Sequence, residues 1–490
     1  MFTQKKIKET ILGLEHKYPV DTWLINGIHI WPYVRIKLYI HMLVLMNEKP
    51  LAIKNGEKTK SRKSFSPLQL LKKNLYFLKA PFVLIVFFLR LKRKRIVFFG
   101  SHIHRILQDG VNFNRFYDSM IDFHRLENEI YTIEYQKINE PIYNRKSIIL
   151  LNKHLDYYKF LKKVLNKLIK KKAKFELEGY DSFLDDLVME NLNMDILSLR
   201  KHNLIEWTNK LRISNGFFNN LFKCVKPEKV IFLGYYGLDD LYSALVVANN
   251  LKIKTIDFQH GPQTNVHLAF SNWDKIPKKG FNTMPIEFWN WDKASKNNID
   301  VWAKKTDVIS SRVVGQPYLG YWLSKNINIE IKRDCIFYSL QTYPFTIKDI
   351  LTPKMVLLIK ENKYKWVLRL HPRNNLDINE LNTFLYINEI DSKVVIQDAY
   401  SIPLPKALLS SLLHITNYSG CLIEAVQLRI PTLLVNEVGK EMFSQYIDNE
   451  LVYFLDQSDV CFVKKAGNLI FDLNNLDFNY NSPSIFNPLV

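Results

Sequence analysis

The stretch Lys365–Asn374, KWVLRLHPRN, decides how the rest of the chain is read. Trp366, Val367, Leu368 and Leu370 are apolar with almost no alternation, which suits a strand buried on both faces rather than one with a wet side. His371, Pro372 and Arg373 then end it abruptly, and the proline ring fixes the backbone direction between the two polar side chains. Just upstream, Pro353–Glu361 reads as a helix; just downstream, Val394–Gln397 is another short apolar strand. Farther out the alternation continues. Cys335–Ser339 reads as a strand, Pro403–Leu413 as a helix, His414–Thr416 as a strand, Gly420–Leu428 as a helix and Pro431–Val435 as a strand. Such alternation builds parallel sheets covered by helices on both faces.

The same rhythm runs through the earlier part of the chain. Ile96–Gly100 (IVFFG), Glu129–Tyr135, Ser147–Leu151, Lys229–Gly234 (KVIFLG) and Ile253–Phe258 read as strands. Leu155–Lys174, Ser182–Cys224 with a break near Asn215-Gly216, and Leu238–Asn250 read as helices. The expected fold is therefore α/β: two doubly wound Rossmann-like domains, 96–325 and 326–490, facing a cleft, with a mainly helical basic region, 1–95, in front.

Within that front region, Ile25–Met46 suits an amphipathic or packed helix after Pro32, and 47–66 is a Lys/Ser-rich linker. Ala80–Leu89 is an uninterrupted apolar run between Lys72, Lys73 and Lys79 on one side and Arg90, Lys92, Arg93, Lys94 and Arg95 on the other. A spanning helix needs about 20 apolar residues. Three readings stay open: a helix lying on an anionic membrane surface, a buried core helix, and a spanning one.

The 490 residues are 47% hydrophobic and 24% charged, which excludes a disordered, collagen-like or disulfide-stapled chain. Lys and Arg number 68 against 48 Asp and Glu, and the net charge of +20 favours anionic partners such as nucleotide phosphates, a membrane face or nucleic acid. The four cysteines, Cys224, Cys335, Cys421 and Cys461, are far apart with no C-x-x-C, so neither a thiolate zinc site nor a disulfide framework is expected. A reducing cytoplasm suits them. Met1–Thr10 is Lys-rich and polar, unlike a secretory signal.

Doubly wound sheets bind ligands beyond the carboxyl ends of their strands. Three segments follow strands directly. In Phe258–Thr264 (FQHGPQT), His260 would serve as a general base or a neutral hydrogen-bond donor. In Leu368–Asn374, Arg373 can grip a phosphate in bidentate fashion and His371 can donate to it. In His414–Ala425, a strand, a Ser419-Gly420 turn and a helix place free backbone N–H groups together, Gly420 permits close approach, and Glu424 lies one turn in, within reach of ribose hydroxyls. Each has a plainer reading: a turn histidine, a basic loop, a serine cap. Asp239 and Asp240, after the KVIFLG strand, are alternative bases or helix N-caps. A P-loop, a G-x-G-x-x-G fingerprint and a metal-spaced histidine cluster are all missing from the sequence, so the site is expected to use no metal and no cofactor beyond its substrate.

The order of FQHGPQT (258–264), GQP (315–317), FYSLQT (337–342), LRLHPR (368–373) and TNYSG-x-x-x-EA (416–425) resembles bacterial GT-B glycosyltransferases of surface-polysaccharide (capsule and O-antigen) synthesis. More distantly it is similar to CDP-glycerol glycerophosphotransferases and bacterial polysialyltransferases. The resemblance covers about 230–440. Trp23, Gly27, Trp31, Pro32 and Arg35 also resemble the start of some polysaccharide-synthesis proteins.

The resemblance implies a GT-B-like fold, with His371 and Arg373 on the donor phosphates, joined by Ser419 and Gly420, and with Glu424 on the donor's ribose or sugar. It places His260, Gln259 and Gly261 on the acceptor side. Two departures stand out: Ser419-Gly420 replaces a Ser-Ser pair, and the HG motif lacks a preceding Trp. The implied activity is transfer of a sugar from a nucleotide-sugar donor to a growing, lipid-linked surface glycan by metal-independent direct displacement. Its place would be cytoplasmic, peripheral on the inner face of the plasma membrane. A UDP-sugar 2-epimerase or nucleotide-sugar hydrolase of the same fold is the alternative. A nucleic-acid-binding protein using Lys162–Lys174 is a third reading, but no zinc-finger, RNP or helix-turn-helix signature accompanies it, so no nucleic-acid partner is expected.

Overall fold

The computed structural model describes residues 3–47, 67–135, 138–166, 175–326, 333–341, 345–374, 376–447 and 450–474. The linker expected over 47–66 lies, apart from Asn47, outside the described residues, as does 167–174 of the basic helix. The chain divides into two compact units. The first holds Met1–His260, Leu268–Asn290 and Lys296–Val313; the second holds Gly261–His267, Trp291–Ser295 and Val314–Val490.

The first unit is built on seven strands: β1 (Ile96–Gly100), β2 (Ile130–Glu134), β3 (Ile148–Leu150), β4 (Lys229–Phe232), β5 (Lys254–Phe258), β6 (Glu287–Asn290) and β7 (Ser310–Val313). They lie in the order β3-β2-β1-β4-β5-β6-β7, and every pair is parallel. All five residues of β1 are buried, as its continuous apolar run requires. The second unit has β8 (Cys335–Ser339), β9 (Lys365–Arg369), β10 (Val394–Gln397), β11 (Ser411–Thr416), β12 (Thr432–Leu434) and β13 (Val452–Phe454). Their order is β10-β9-β8-β11-β12-β13, again all parallel.

Both sheets therefore follow one rule. Three strands run outward in one direction, and the fourth returns to pair with the first. The order reverses between β1 and β4 in one unit and between β8 and β11 in the other. Such a switch point opens a crevice at the carboxyl ends of the two strands. The expected fold class holds: two doubly wound α/β units with a mainly helical N-terminal region.

That region joins the first unit's core. Ile7, Ile11, Trp23, Trp31, Val34, Leu84 and Phe87 belong to the same buried cluster as Val97 and Phe99 of β1. Its centre is an ion pair. The Arg35 Nε lies 2.6 Å from Glu15 Oε1, and both side chains are fully buried. The Trp31 indole donates to the same carboxylate at 2.9 Å, and the Asp274 N–H donates to its other oxygen at 2.9 Å. Arg35 also donates to the carbonyls of Ser271 (3.3 Å) and Asn272 (2.8 Å) and lies 4.1 Å from the Trp273 ring. A buried pair is tolerated when most of its remaining donors and acceptors find such partners; here, among the described residues, the Arg35 Nη1 is left without one. The Trp23–Arg35 motif thus clamps the N-terminal helices to residues 271–274.

The break expected near Asn215-Gly216 is absent; the helix Lys201–Val225 runs through it. A Cβ at Gly216 would lie 2.2 Å from the Tyr158 hydroxyl, and Asn215 accepts from Ser243 at 2.6 Å. These turn-type residues serve close packing instead. The breaks fall earlier, at 190–193 and 198–200, where Asn191 (φ 59°) and Ser198 (φ 53°) are left-handed.

In the second unit, His414 in β11 bridges three strands. Its Nε2 lies 2.8 Å from Ser339 Oγ on β8, and its Nδ1 lies 3.1 Å from Thr432 Oγ1 on β12. Burial pushes its pKa down to about 3, so the ring is neutral.

Candidate functional site at the strand ends

At the end of β9, His371 is half-buried and its Nδ1 accepts the Arg373 N–H at 3.0 Å. That bond fixes the neutral tautomer, with the proton on Nε2. The Arg373 side chain is exposed. Arg369, only four residues earlier, behaves oppositely: it is 6% exposed and donates to the Gln397 side chain (2.5 Å) and the carbonyls of Ala399 and Ile402 (2.8 Å each). It pins the loop after β10, which leaves Arg373 as the arginine presented to solvent.

Near the end of β8, Tyr338 donates to Asn417 Oδ1 at 2.9 Å, and just beyond it Gln341 donates to Thr416 Oγ1 at 3.4 Å, so the ends of β8 and β11 are tied together. Thr342 of the FYSLQT segment lies outside the described residues. After β11 the Ser419 N–H donates to Thr416 Oγ1 (2.9 Å), and Ser419 Oγ accepts from the Cys421 N–H (3.3 Å). The serine oxygen therefore serves the start of the helix Cys421–Gln427, whose N-cap is Gly420. A Cβ at Gly420 would lie 2.9 Å from Pro262 Cγ, and one at Gly439 would lie 1.9 Å from the Asn417 carbonyl oxygen. Both glycines let neighbouring segments close on this turn.

Glu424 is 7% exposed, and its Oε1 accepts from Gln316 Nε2 at 2.9 Å. The other end of the Gln316 amide accepts the Leu319 N–H and caps the helix Pro317–Lys325. The GQP and EA segments, more than 100 residues apart, meet at this one amide.

In the first unit, Gln259 is buried and its N–H donates to the Trp289 carbonyl at 3.0 Å. His260 packs against Gly234, which is left-handed (φ 76°); a Cβ there would lie 2.7 Å from His260 Cε1. The His104 ring stands edge-on to it, 5.4 Å between centroids. Burial first, then the positive charge of Arg115, pushes the His260 pKa down to about 4. The ring is thus neutral at physiological pH, suited to accept or orient a hydroxyl proton. The FQHGPQT segment is divided between the units: His260 belongs to the first, Gly261–His267 to the second.

Asp239 and Asp240 begin the helix Asp239–Asn250, but its N-cap is Leu238. Asp239 accepts the Trp207 indole N–H (2.9 Å); Asp240 accepts from Ser214 (3.0 Å) and pairs with Lys159 (2.8 Å). Both carboxylates already hold helices together.

Gln316, Asn417 and His104 are the additions that the structure makes. His104 follows the IVFFG strand, so the strand-end rule that selected His260 also points to it. Among the described residues, no group of three or more His, Cys, Asp or Glu side chains is arranged to hold a metal ion.

No family model and no curated relative matches the chain. Solved structures similar to it include UDP-GlcNAc 2-epimerase from Neisseria meningitidis bound to UDP-GlcNAc: 13% identity, TM-score 0.43, covering 78% of this chain and 94% of that one. A UDP-glucosyltransferase from Polygonum tinctorium is 9% identical, with a TM-score of 0.42, covering 78% of this chain and 90% of that one. TarM from S. aureus in complex with UDP is 14% identical, with a TM-score of 0.32, covering 55% of this chain and 52% of that one. None of these similarities assigns an activity to this chain.

Proposed function

We propose that the chain is a GT-B-type glycosyltransferase moving a sugar from a nucleotide-sugar donor to a growing, lipid-linked bacterial surface glycan. The supporting observation is the second unit's sheet edge. His371 and Arg373 leave β9, while Ser419, Gly420 and Glu424 follow β11, on the two flanks of β8 and next to the switch point. The Arg373 guanidinium and the His371 Nε2–H are donors suited to a diphosphate. Glu424, held by Gln316, is the acceptor for a ribose or sugar hydroxyl.

In the proposed reaction an acceptor hydroxyl oxygen attacks the anomeric carbon. The bond from that carbon to the donor phosphate oxygen breaks, the nucleotide leaves with the electron pair, and the hydroxyl proton passes to a base. His371 and Arg373 stabilise the charge on the leaving nucleotide, the role a metal cation plays elsewhere. His260 is assigned to the acceptor as base or orienter, with Gln259 and Gly261 beside it in sequence. Asp239 and Asp240 rank behind it, because each is committed to an indole, a hydroxyl or a lysine. The reading needs no cofactor and no metal, so transfer should persist in a chelator.

The test is a thermal-shift panel of UDP, GDP, CDP, CMP and dTDP on the wild type and on His371→Ala. One nucleotide should raise the unfolding temperature of the wild type alone, and the variant should lose about 10²-fold or more in transfer rate with its own unfolding temperature unchanged. No response to any nucleotide would overturn the reading. Interconversion of a UDP-sugar with its 2-epimer in the absence of acceptor would replace it with the epimerase.

A further inference from the structure

Over its described side chains, 79–90, the helix Pro67–Arg90 has two apolar faces, one buried and one exposed. Ala80, Leu84 and Phe87 are buried, and Phe87 stacks on His154 at 4.1 Å and on Phe217 at 5.9 Å. Phe82, Ile85 and Leu89, spaced three and four residues apart, fall on one other side of the helix. They are 70%, 58% and 79% exposed. Three large apolar side chains aligned in water mark an interaction surface rather than chance exposure.

The surroundings of the stripe say what would cover it. Exposed Lys79 lies at one end, and exposed Arg90, Lys92 and Arg93 lie at the other. From Lys79 to Arg95 the chain contains no acidic residue. Two further cations of this run are already engaged, Lys94 by the Asn128 carbonyl and Arg95 by Glu129 at 2.8 Å. The helix Leu151–Asn166, packed alongside, adds exposed Lys153 and Lys163 against one exposed carboxylate, Asp156.

Apolar side chains flanked by cations fit a surface that is apolar beneath and anionic at its rim. Spanning is excluded for this helix, because Ala80, Leu84 and Phe87 are committed to the protein core. Among the described residues, no helix is long and apolar enough to cross a membrane.

We infer that Phe82, Ile85 and Leu89 insert into the headgroup region of an anionic bilayer while Lys79, Arg90, Lys92 and Arg93 meet lipid phosphates. This inference stands independently of the transferase reading.

Flotation of the full chain with vesicles tests it. Binding is expected to phosphatidylcholine vesicles carrying about one-third phosphatidylglycerol and not to phosphatidylcholine alone, and high salt should weaken it. Phe82→Ser/Ile85→Ser/Leu89→Ser should lower partitioning about tenfold or more, with the unfolding temperature unchanged because all three side chains are exposed. Arg90→Glu/Arg93→Glu keeps the stripe and should lose binding similarly, which decides the matter should the serine variant fold poorly. Wild-type protein that stays unbound, or charge-reversed protein that binds as well as wild type, overturns the inference. A wild-type dimer that the serine variant converts to monomer also overturns it, by assigning the stripe to a second copy of the chain.

Discussion

At the ends of β1 and β2 in the first unit, the space is taken by the protein itself. A Cβ on Gly100 would lie 2.9 Å from Glu134 Oε1. Glu134 and Asp118 flank Arg105 at 2.7 and 3.3 Å, and the three side chains are 2% exposed or less. Burial pushes the Asp118 carboxyl up to about 7 against the pull of Arg105. At the switch point of the second unit, between β8 and β11, the polar groups are Gln341, Asn417 and Ser419, with Arg373 exposed at the next strand end. Strand order alone provides a crevice in both. Charge decides its use: an arginine neutralised by two carboxylates has little left for a phosphate, whereas an exposed one keeps its donors.

The sharpest way to break this contrast is to remove each arginine. Arg105→Met leaves two buried carboxylates without their cation and should cost about 3–5 kcal/mol of stability. Arg373→Met removes an exposed side chain and should change stability by about 0.5 kcal/mol or less. The same change should weaken nucleotide binding about tenfold or more. Urea unfolding and nucleotide titration of both variants check this. Unchanged nucleotide affinity in Arg373→Met, with its loss in a folded Arg105→Met, would move the donor site to the first unit.

Much of this architecture was legible in the sequence. Continuous apolar runs marked β1 and β8 to the residue, and β10 as well. In the two large sheets the strands not foreseen, β6, β7 and β13, read EFWN, SSRV and VYF, too polar or too short to signal; the short antiparallel pairs Leu24–Ile25 with Ile28–His29 and Arg105–Gln108 with Val111–Asn114 were not foreseen either, and Ser411–Leu413, read as the end of a helix, opens β11. In β6 and β7 the polarity has a partner that sequence spacing does not reveal, since Glu287 of β6 pairs with Arg312 of β7 at 3.0 Å. The candidate residues were chosen by the rule that parallel sheets bind ligands at strand ends, and the structure places His371, Ser419 and Gly420 just beyond such ends. Their partners were not legible: Gln316 reaches Glu424 only through the tertiary fold, and nothing local separates a buried His414 from a half-buried His371.

Those two histidines give the second, smaller test. The folded pKa of His414 lies near 3 because of burial, whereas an unfolded histidine titrates near 6.5. Between these values the unfolded chain binds the extra proton, so the stabilisation is present above about pH 6.5 and is lost as pH falls. Wild type should lose about 2–3 kcal/mol more than His414→Asn between about pH 6.5 and 4.5, as read by urea unfolding at each pH. Asp118 opposes this in both proteins, since its raised pKa favours the folded state progressively as pH falls from about 7, so the difference between them isolates His414. Equal losses would mean that His414 does not remain buried and neutral.

The smallest effect probes how the second edge aims its carboxylate. Gln316→Ala removes both the cap of the helix Pro317–Lys325 and the hydrogen bond to Glu424. Loss of a cap costs about 1 kcal/mol, and loss of the hydrogen bond to Glu424 costs about as much again. If Gln316 only caps the helix, Gln316→Ser, which can still cap but is too short to hold Glu424, should restore activity along with stability. If Gln316 positions Glu424 against the donor, Gln316→Ser should recover the capping part of the stability while KM for the donor stays raised about three- to tenfold, with kcat less affected. Steady-state kinetics of the two variants, set beside their unfolding temperatures, separates these outcomes. The raised KM alone would place Glu424 on the donor side of the second unit's edge.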